Sequence, residues 1–529
     1  MRKLSVAAVI AVLLAAFAPA AQGDPSVLSI VRVTPATTAD AAFLMSHFDE
    51  THNHGDGEIE LLLWPGDALE LDALGYDYRV VIPDLVAHDR ARAGGPHPLV
   101  GLPGPDRDDY RRLGDYRDEM HALAEKNPSL VRLFEMPRAS LEGRPVFGLE
   151  IASSVGRDDG RPVYYVDGLH HAREWPAAEY VMIFAHKLVE GFGKDPQVTS
   201  LLRRGRVIVV PVVNVDGFDY SRESALAANR TVDQQTWPIG LVNGFENYWR
   251  KNRRSLTGAT APGLQSNPDA YGVDPNRNYA YEWGDQEGGS SEIPLEQDYR
   301  GEAPFSEPET KNVRDIILGR EVTGVITNHT VQATVLRAGG GFSPEDATLT
   351  AIGARLAEAA GYENRATVGY PTTGTTDDWA YAAIGAFGFT IEHGGSGFHP
   401  PYTEVGQLMP GVVEAFMTMG EIATNAKYHA VVAGRVVAGR AKLTLSRSFQ
   451  TPLSEGNPLG KEAITEKVKL SLTTGRDGRF EWHVGPSTSP WERPRSDSYT
   501  LLIRAGGKTT KIEITLGRGQ RIDLGAIKL

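Results

Sequence analysis

Between residues 109 and 428, short apolar runs of strand character alternate with segments whose apolar residues recur every three or four positions. The strand candidates fall at 163–166, 207–213, 322–326 and 387–391, with helical segments such as 177–189 and 349–360 between them. Continuous apolar runs suit strands covered on both sides. The alternation therefore predicts an α/β domain with a mostly parallel or mixed central sheet and helices on both faces. It opens on a helix over 109–126, where Leu113, Tyr116, Met120 and Leu123 form one stripe that stops before Pro128.

The flanks read differently. Residues 28–33, 58–63 and 78–82 carry strand patterns around a helix at 38–50 and a further helical turn, which makes residues 24–86 a small α/β unit. Residues 87–106, with Gly94-Gly95-Pro96, Pro98, Pro103 and Pro105, read as an exposed linker. The α/β domain then spans 107–428. From 429 to 529 alternation at period two takes over, as in 441–445 and 468–472, and Asp477-Gly478 reads as a hairpin turn. A C-terminal β-sandwich is expected there.

Residues 1–23 have the layout of a secretory signal peptide: Arg2 and Lys3, an apolar run over 4–17, then Ala18-Pro19-Ala20-Ala21-Gln22-Gly23. The run is shorter than the roughly 20 residues needed to cross a bilayer, and no other run is long and apolar enough, so a secreted chain without a membrane span is expected. A net charge of −13 argues against nucleic acid as a partner. With no cysteine in the sequence, disulfides, thiolate chemistry and cysteine-bound metal are excluded, and any metal must sit on His, Asp or Glu.

His171 and Glu174 lie just beyond the strand candidate at 163–166 and just before a helix, at the strand end where open α/β sheets build their sites. Imidazole and carboxylate suit zinc, which takes three protein ligands in catalytic sites and leaves a position open. With 14 histidines and 67 acidic residues this spacing also arises by chance, and a histidine near a loop is more often hydrogen-bonded than a ligand. Two further strand ends change the balance. Thr327-Asn328-His329-Thr330 offers a third ligand, and the run at 387–391 closes on Glu392, a carboxylate costly to bury unless it is paired with an Arg or functional.

Together these residues resemble the zinc metallocarboxypeptidases of the pancreatic carboxypeptidase A and B type. His171-Ala172-Arg173-Glu174-Trp175 is similar to that family's His-x-x-Glu motif, with His329 at the third ligand and Arg173 as a substrate contact. Tyr248-Trp249-Arg250-Lys251-Asn252-Arg253 resembles the segment whose arginine polarises the scissile carbonyl, here Arg250. Gly272-Val273-Asp274-Pro275-Asn276-Arg277-Asn278 resembles the segment whose Asn-Arg pair, here Asn276 and Arg277, binds the terminal carboxylate. By the same matching Tyr370 is the tyrosine that closes over substrate and Glu392 the general base.

The resemblance implies one zinc ion per chain and hydrolysis of the last peptide bond of substrates with a free C-terminus. A planar guanidinium matches two carboxylate oxygens, so Arg277 is a sensible specificity cation, although alone it would read as a surface ion pair. Asp274 is the candidate to hold the far nitrogen of His171, with a turn-forming Asp as the alternative. Asp377 falls at the floor of the side-chain pocket, which implies a preference for C-terminal Lys or Arg, unless Asp377-Asp378-Trp379 is a turn and helix cap. Val331 departs from the animal enzymes, which carry a tyrosine there. The N-terminal unit sits where secreted members place an inhibitory prosegment, with Arg90 and Arg92 as processing points. Two other functions fit less of this pattern: a zinc amidase or cell-wall peptidase, and a non-catalytic binding protein.

Overall fold

The computed structural model describes residues 27–53, 57–92, 102–156, 159–223, 245–256, 272–284, 289–339, 347–367, 372–485 and 496–529. The signal-peptide candidate, residues 93–101 of the proline-rich stretch and Tyr370 lie outside them.

The N-terminal unit comprises β1 (Ser29–Val33), α1 (Thr38–His47), β2 (Asp49–Asn53), β3 (Ile59–Leu63), α2 (Asp67–Leu74), β4 (Tyr78–Ile82) and α3 (Leu85–Arg92). Its sheet runs β2-β3-β1-β4, all antiparallel. Side chains alternate across a sheet, and both faces here are apolar. Val31, Val33, Leu61 and Leu63 pack with α1 and α2 residues such as Leu44, Phe48 and Leu71, whereas Ile30, Leu62, Leu85 and Val86 cluster with Tyr248 and Phe398 of the following domain. Two sequence expectations shift. The first helix ends at His47 and residues 49–53 form a strand, because Asp49 and Leu62 stand opposite each other in the sheet. The stretch read as linker begins with the last two turns of α3, held by Asp84 accepting from the Ala87 amide at 2.9 Å.

The central domain contains α4 (Leu113–Lys126), β5 (Val131–Glu135), β6 (Phe147–Ile151), β7 (Val163–Gly168), α5 (Trp175–Gly191), α6 (Pro196–Arg204), β8 (Arg206–Val210) and α7 (Val215–Glu223). It continues with α8 (Pro308–Gly319), β9 (Val322–Thr330), β10 (Thr334–Arg337), α9 (Ala347–Ala360), β11 (Glu363–Arg365), α10 (Thr376–Ile384), β12 (Phe387–His393) and α11 (Tyr402–Ala423). Eight strands form one mixed sheet in the order β11-β10-β12-β9-β7-β8-β6-β5. Pairs β12/β9, β9/β7 and β7/β8 are parallel, and β7, β8 and β9 are buried along their whole length, which is why they read as unbroken apolar runs. On α4 the buried residues are Tyr116, Met120 and Leu123, three of the four in the predicted stripe, with Leu113 half-buried at the first turn.

The C-terminal strands are β13 (Ala430–Val436), β14 (Lys442–Pro452), β15 (Ala463–Thr473), β16 (Arg479–Val484), β17 (Ser496–Ala505), β18 (Lys508–Gly517) and β19 (Arg521–Ile527). They form two sheets, β16-β13-β19 and β15-β14-β17-β18, as a sandwich requires. The Asp477-Gly478 turn is not a hairpin: β15 pairs with β14 and β16 with β13, so the turn carries the chain from one sheet to the other. The sandwich is bonded to the central domain through Trp482 Nε1 donating to Glu321 (2.8 Å) and Trp379 Nε1 donating to Glu466 (3.0 Å).

Candidate active site

Three strand ends meet at one place. Strand β7 finishes at Gly168, and Leu169 takes a left-handed conformation (φ 57°) that no bulky residue favours, turning the chain so that His170 and His171 follow as a buried bend. Glu174 then stands at the N-terminus of α5, whose second residue, Pro176, suits a first turn that needs no donor there. Parallel pairing sets Glu392 of β12 directly beside His329 of β9. Since side chains alternate along a strand, this register sends both toward the same side as His171. Glu392 lines one cavity with His171, Glu174, Arg250, Asn276 and Arg277.

His171, Glu174 and His329 form the only group of three or more potential metal-ligating side chains among the described residues, with their ligand atoms all within 4.8 Å of one another. His171 Nδ1 lies 2.7 Å from Glu174 Oε1, His329 Nδ1 lies 2.9 Å from Glu174 Oε2, and the two Nδ1 atoms are 3.1 Å apart. Two buried imidazole nitrogens and a carboxylate converging in this way are a donor set fitted to zinc. The far nitrogen of His171, Nε2, sits 3.2 Å from Asp274 Oδ1, the carboxylate–imidazole arrangement that fixes a ligand's tautomer. Burial would raise the Asp274 carboxyl, but Arg250 and His171 together hold it well below the usual carboxylate range. Asp274 therefore stays anionic between them.

The side chains expected to meet substrate surround this group. Arg250 donates from Nη2 and Nε to Asp274 Oδ2 at 2.9 and 3.1 Å. Arg277 uses Nη1 on the Asn276 carbonyl at 2.9 Å, while its buried Nε has no partner, leaving a guanidinium with donors to spare at the cavity wall. Asn276 is fixed by its amide donating to Asp274 (2.8 Å) and by its Oδ1 accepting from the Thr376 amide (3.0 Å). Gly374, at φ 67°, crosses so close that a Cβ would meet the Arg277 carbonyl at 2.4 Å, so only glycine lets α10 approach this arginine.

Of the acidic pair in the first turn of α10, Asp378 accepts from the Thr375 hydroxyl (3.0 Å) and the Gly339 amide (2.9 Å). Asp377 lines the cavity, and burial pushes its carboxyl up from the usual range. Val331 lines the same cavity.

Two contributors carry no signal of their own in the sequence. Asp49, on β2 of the N-terminal unit, forms a two-pronged ion pair with Arg173, with Nη2 2.6 Å from Oδ1 and Nη1 on Oδ2. Both side chains are almost fully buried, and the pair is braced by Trp64 Nε1 donating to Asp49 (2.9 Å) and by Phe398, whose ring lies 4.2 Å from the guanidinium. Thr51 of the same strand lines the cavity. The N-terminal unit thus covers the site and occupies the arginine that stands between two zinc ligands in the chain. An acidic residue in a short polar segment gives no hint of this, because its partner lies 124 positions away.

Comparison with known proteins agrees with this geometry. A family model described as "Zinc carboxypeptidase" matches residues 116–415, more than half of the chain. Human carboxypeptidase B is 27% identical over 320 residues, covering 58% of this chain and 68% of that protein. Mouse carboxypeptidase A4 is 27% identical over 378 residues, covering 68% and 81%. The crystal structure of carboxypeptidase A from Helicoverpa armigera superposes with a TM-score of 0.58 at 23% identity, over 75% of this chain and 97% of that one, a likeness of fold. Matched by sequence across the domain that carries the buried His171, Glu174 and His329, this chain belongs to the zinc carboxypeptidase family, and it is a zinc-dependent hydrolase of peptides.

Proposed function

We propose that the chain is a secreted carboxypeptidase that releases single residues from peptide C-termini, prefers Lys or Arg there, and is held latent by its N-terminal unit. The observation that carries this reading is Arg277: a buried guanidinium with an unpartnered Nε, on the wall of the cavity that also holds the zinc ligands and Glu392. A free carboxylate is the ligand such a fork fits, and only a chain end supplies one beside the last peptide bond.

His171, Glu174 and His329 would hold the zinc, which when bound would supply a Lewis acid for the scissile carbonyl and lower the pKa of a water molecule toward neutrality. Glu392 accepts the proton of the attacking water and delivers it to the departing amine. Arg277 and Asn276 fix the terminal carboxylate so that the bond before it lies over the metal site. Arg250, released from Asp274 or shared with it, donates to the carbonyl oxygen as negative charge develops there, a role worth about 3–4 kcal/mol of barrier for one such donor. Tyr370 is carried as the residue that closes over substrate on the resemblance alone. Asp377 lines the cavity beside Asp378, where its carboxylate can meet an ammonium or guanidinium.

Latency rests on Asp49 and the apolar contact of Ile30, Leu62 and Leu85 with Tyr248 and Phe398. The test is metal analysis joined to a panel of peptides differing only in the last residue, run on the intact chain and on chain trimmed at Arg90 or Arg92. Release of free amino acids by the trimmed form, abolished by a chelator and by Glu392→Gln, is expected. Full activity of the Glu392→Gln variant would overturn the mechanism.

A further inference from the structure

The C-terminal sheet β15-β14-β17-β18 has one face turned inward. From that face Arg447 donates to the Ala383 carbonyl at 2.6 Å and Glu466 receives Trp379, both on α10. Strict alternation sends the other residues of each strand to the opposite face, which is solvent-exposed or half-exposed throughout. That outer face is unusual in charge. It carries Lys442 on β14, Lys467 and Lys469 on β15, Arg504 on β17 and Lys511 on β18, against a single carboxylate, Glu513. The chain as a whole has a net charge of −13, so this face reverses the sign of the molecule that bears it.

Protection of sheet edges explains part of the pattern, because lysines on edge strands discourage edge-to-edge pairing, and β15 and β18 are the edges. It does not explain the middle. Lys442 and Arg504 stand directly opposite each other on the two central strands, where like charges cost stability and no edge needs guarding. Among the described residues Lys442, Lys467, Lys469 and Arg504 make no ion pair or side-chain hydrogen bond, and only Lys511 is matched, with Glu513 at 2.7 Å. Between the cations the face is hydroxyl: Ser446 faces Lys469, Ser448 faces Lys467, and Ser471 faces Thr444. Besides Leu502 its apolar side chains are only Pro452 and Ala463, paired at one end of β14 and β15, and it has no aromatic residue.

We propose that this face binds an acidic polysaccharide, a flexible polymer of hydroxyl-rich units with repeating carboxylates, and so holds the enzyme on a surface made of it. Lys467 and Lys469 stand about 7 Å apart along β15, and Lys442 and Arg504 about 5 Å apart across β14 and β17, so a flexible chain of carboxylates can reach both pairs. The hydroxyl rows meet the sugar hydroxyls. A lipid surface is disfavoured, since one half-buried leucine gives nothing to insert, and single-stranded nucleic acid is disfavoured because there is no ring for a base to stack on.

The full chain is tested by affinity electrophoresis and co-sedimentation with polygalacturonate, with neutral dextran and phosphatidylglycerol-containing vesicles in parallel. Retention by polygalacturonate, and not by dextran, is expected at low salt. The Lys442→Ser/Lys467→Ser/Lys469→Ser variant should bind at least about tenfold more weakly, and its slope of log affinity against log salt should fall by roughly two to three, one for each cation removed. Its peptide hydrolysis should match the parent. Glu513→Gln should bind about twofold more tightly, a gain that misfolding cannot produce. The proposal is overturned if polygalacturonate does not retain the parent, if the triple variant is retained equally, or if only the vesicles bind.

Discussion

Substituting Asp49 by Ala tests the latency of the enzyme at its strongest contact. The Arg173–Asp49 pair is buried, with side-chain exposures of 0% and 4%, and has two parallel hydrogen bonds. Removing one partner of such a pair costs about 3–5 kcal/mol where the remaining charge stays buried. Here Arg173 can regain water if the N-terminal unit swings away, so the cost falls on the docking equilibrium, and the lower figure of about 3 kcal/mol corresponds to a shift of roughly 150-fold toward the open form. The apolar contacts of Ile30, Leu62, Leu85 and Val86 remain, each worth about 1.5–3 kcal/mol when fully buried, so the unit stays folded and is only less firmly seated. Intact Asp49→Ala protein should therefore cleave a C-terminal Lys peptide with kcat/KM at least about tenfold above the intact parent, while trimmed parent and trimmed variant are indistinguishable. Burial opposes ionisation of Asp49, but Arg173 holds the carboxyl below its ordinary 3.8. Its contribution to docking is consequently complete above pH 4 or so and is lost only as the pH falls through the lowered value. If the intact variant is no faster than the intact parent, or trimming fails to activate the parent, the covering unit is not a latch and the reasoning fails.

Glu392→Gln should lower kcat by about 10²–10⁴-fold with zinc content unchanged, measured by metal analysis beside peptide hydrolysis. Asp377→Ala should remove the advantage of C-terminal Lys and Arg over apolar residues in kcat/KM; in the parent that advantage should grow with rising pH, because a carboxyl raised by burial becomes anionic only above its usual range. Asp67, beside Asp49, has its carboxyl pushed up to about 7 by burial, so its ionisation opposes folding and stability of the N-terminal unit should fall as pH rises from about 4 to about 7. Asp67→Asn should flatten that slope in thermal unfolding, and an unchanged slope would refute the assignment.

The chemistry of the site was legible early because it lies at the ends of strands that are conspicuous in sequence. Strands β7, β9 and β12 are buried on both faces, and an acid or imidazole closing such a run stands out against the apolar residues before it. Element boundaries were less legible. Asp49 to Asn53 is a short polar segment with no alternating apolar pattern, and only pairing with β3 makes it a strand. The Asp477-Gly478 turn has hairpin residues, yet the strands it joins belong to different sheets, a choice made by packing across the sandwich and not by the turn.

One clue in the N-terminal unit was available and is instructive. Its sheet is apolar on both faces, with Val31 and Leu61 on one side and Ile30 and Leu62 on the other, although α1 and α2 cover only one. A second apolar face requires a second cover, and α3 together with the central domain provides it.

The amino-acid sequence by itself determined the layered α/β architecture, the β-rich end and the absence of cysteine chemistry, since these follow from local periodicity and side-chain type, while the candidates for holding zinc and a carboxylate were singled out by the resemblance of their motifs to a known family. Tertiary structure alone decided that Glu392 stands beside His329, that Asp377 and Asp378 both line the cavity, and that Asp49 closes on Arg173. Those are matters of register and docking between segments far apart in the chain, set by the shapes of the faces that meet, and no local pattern encodes them.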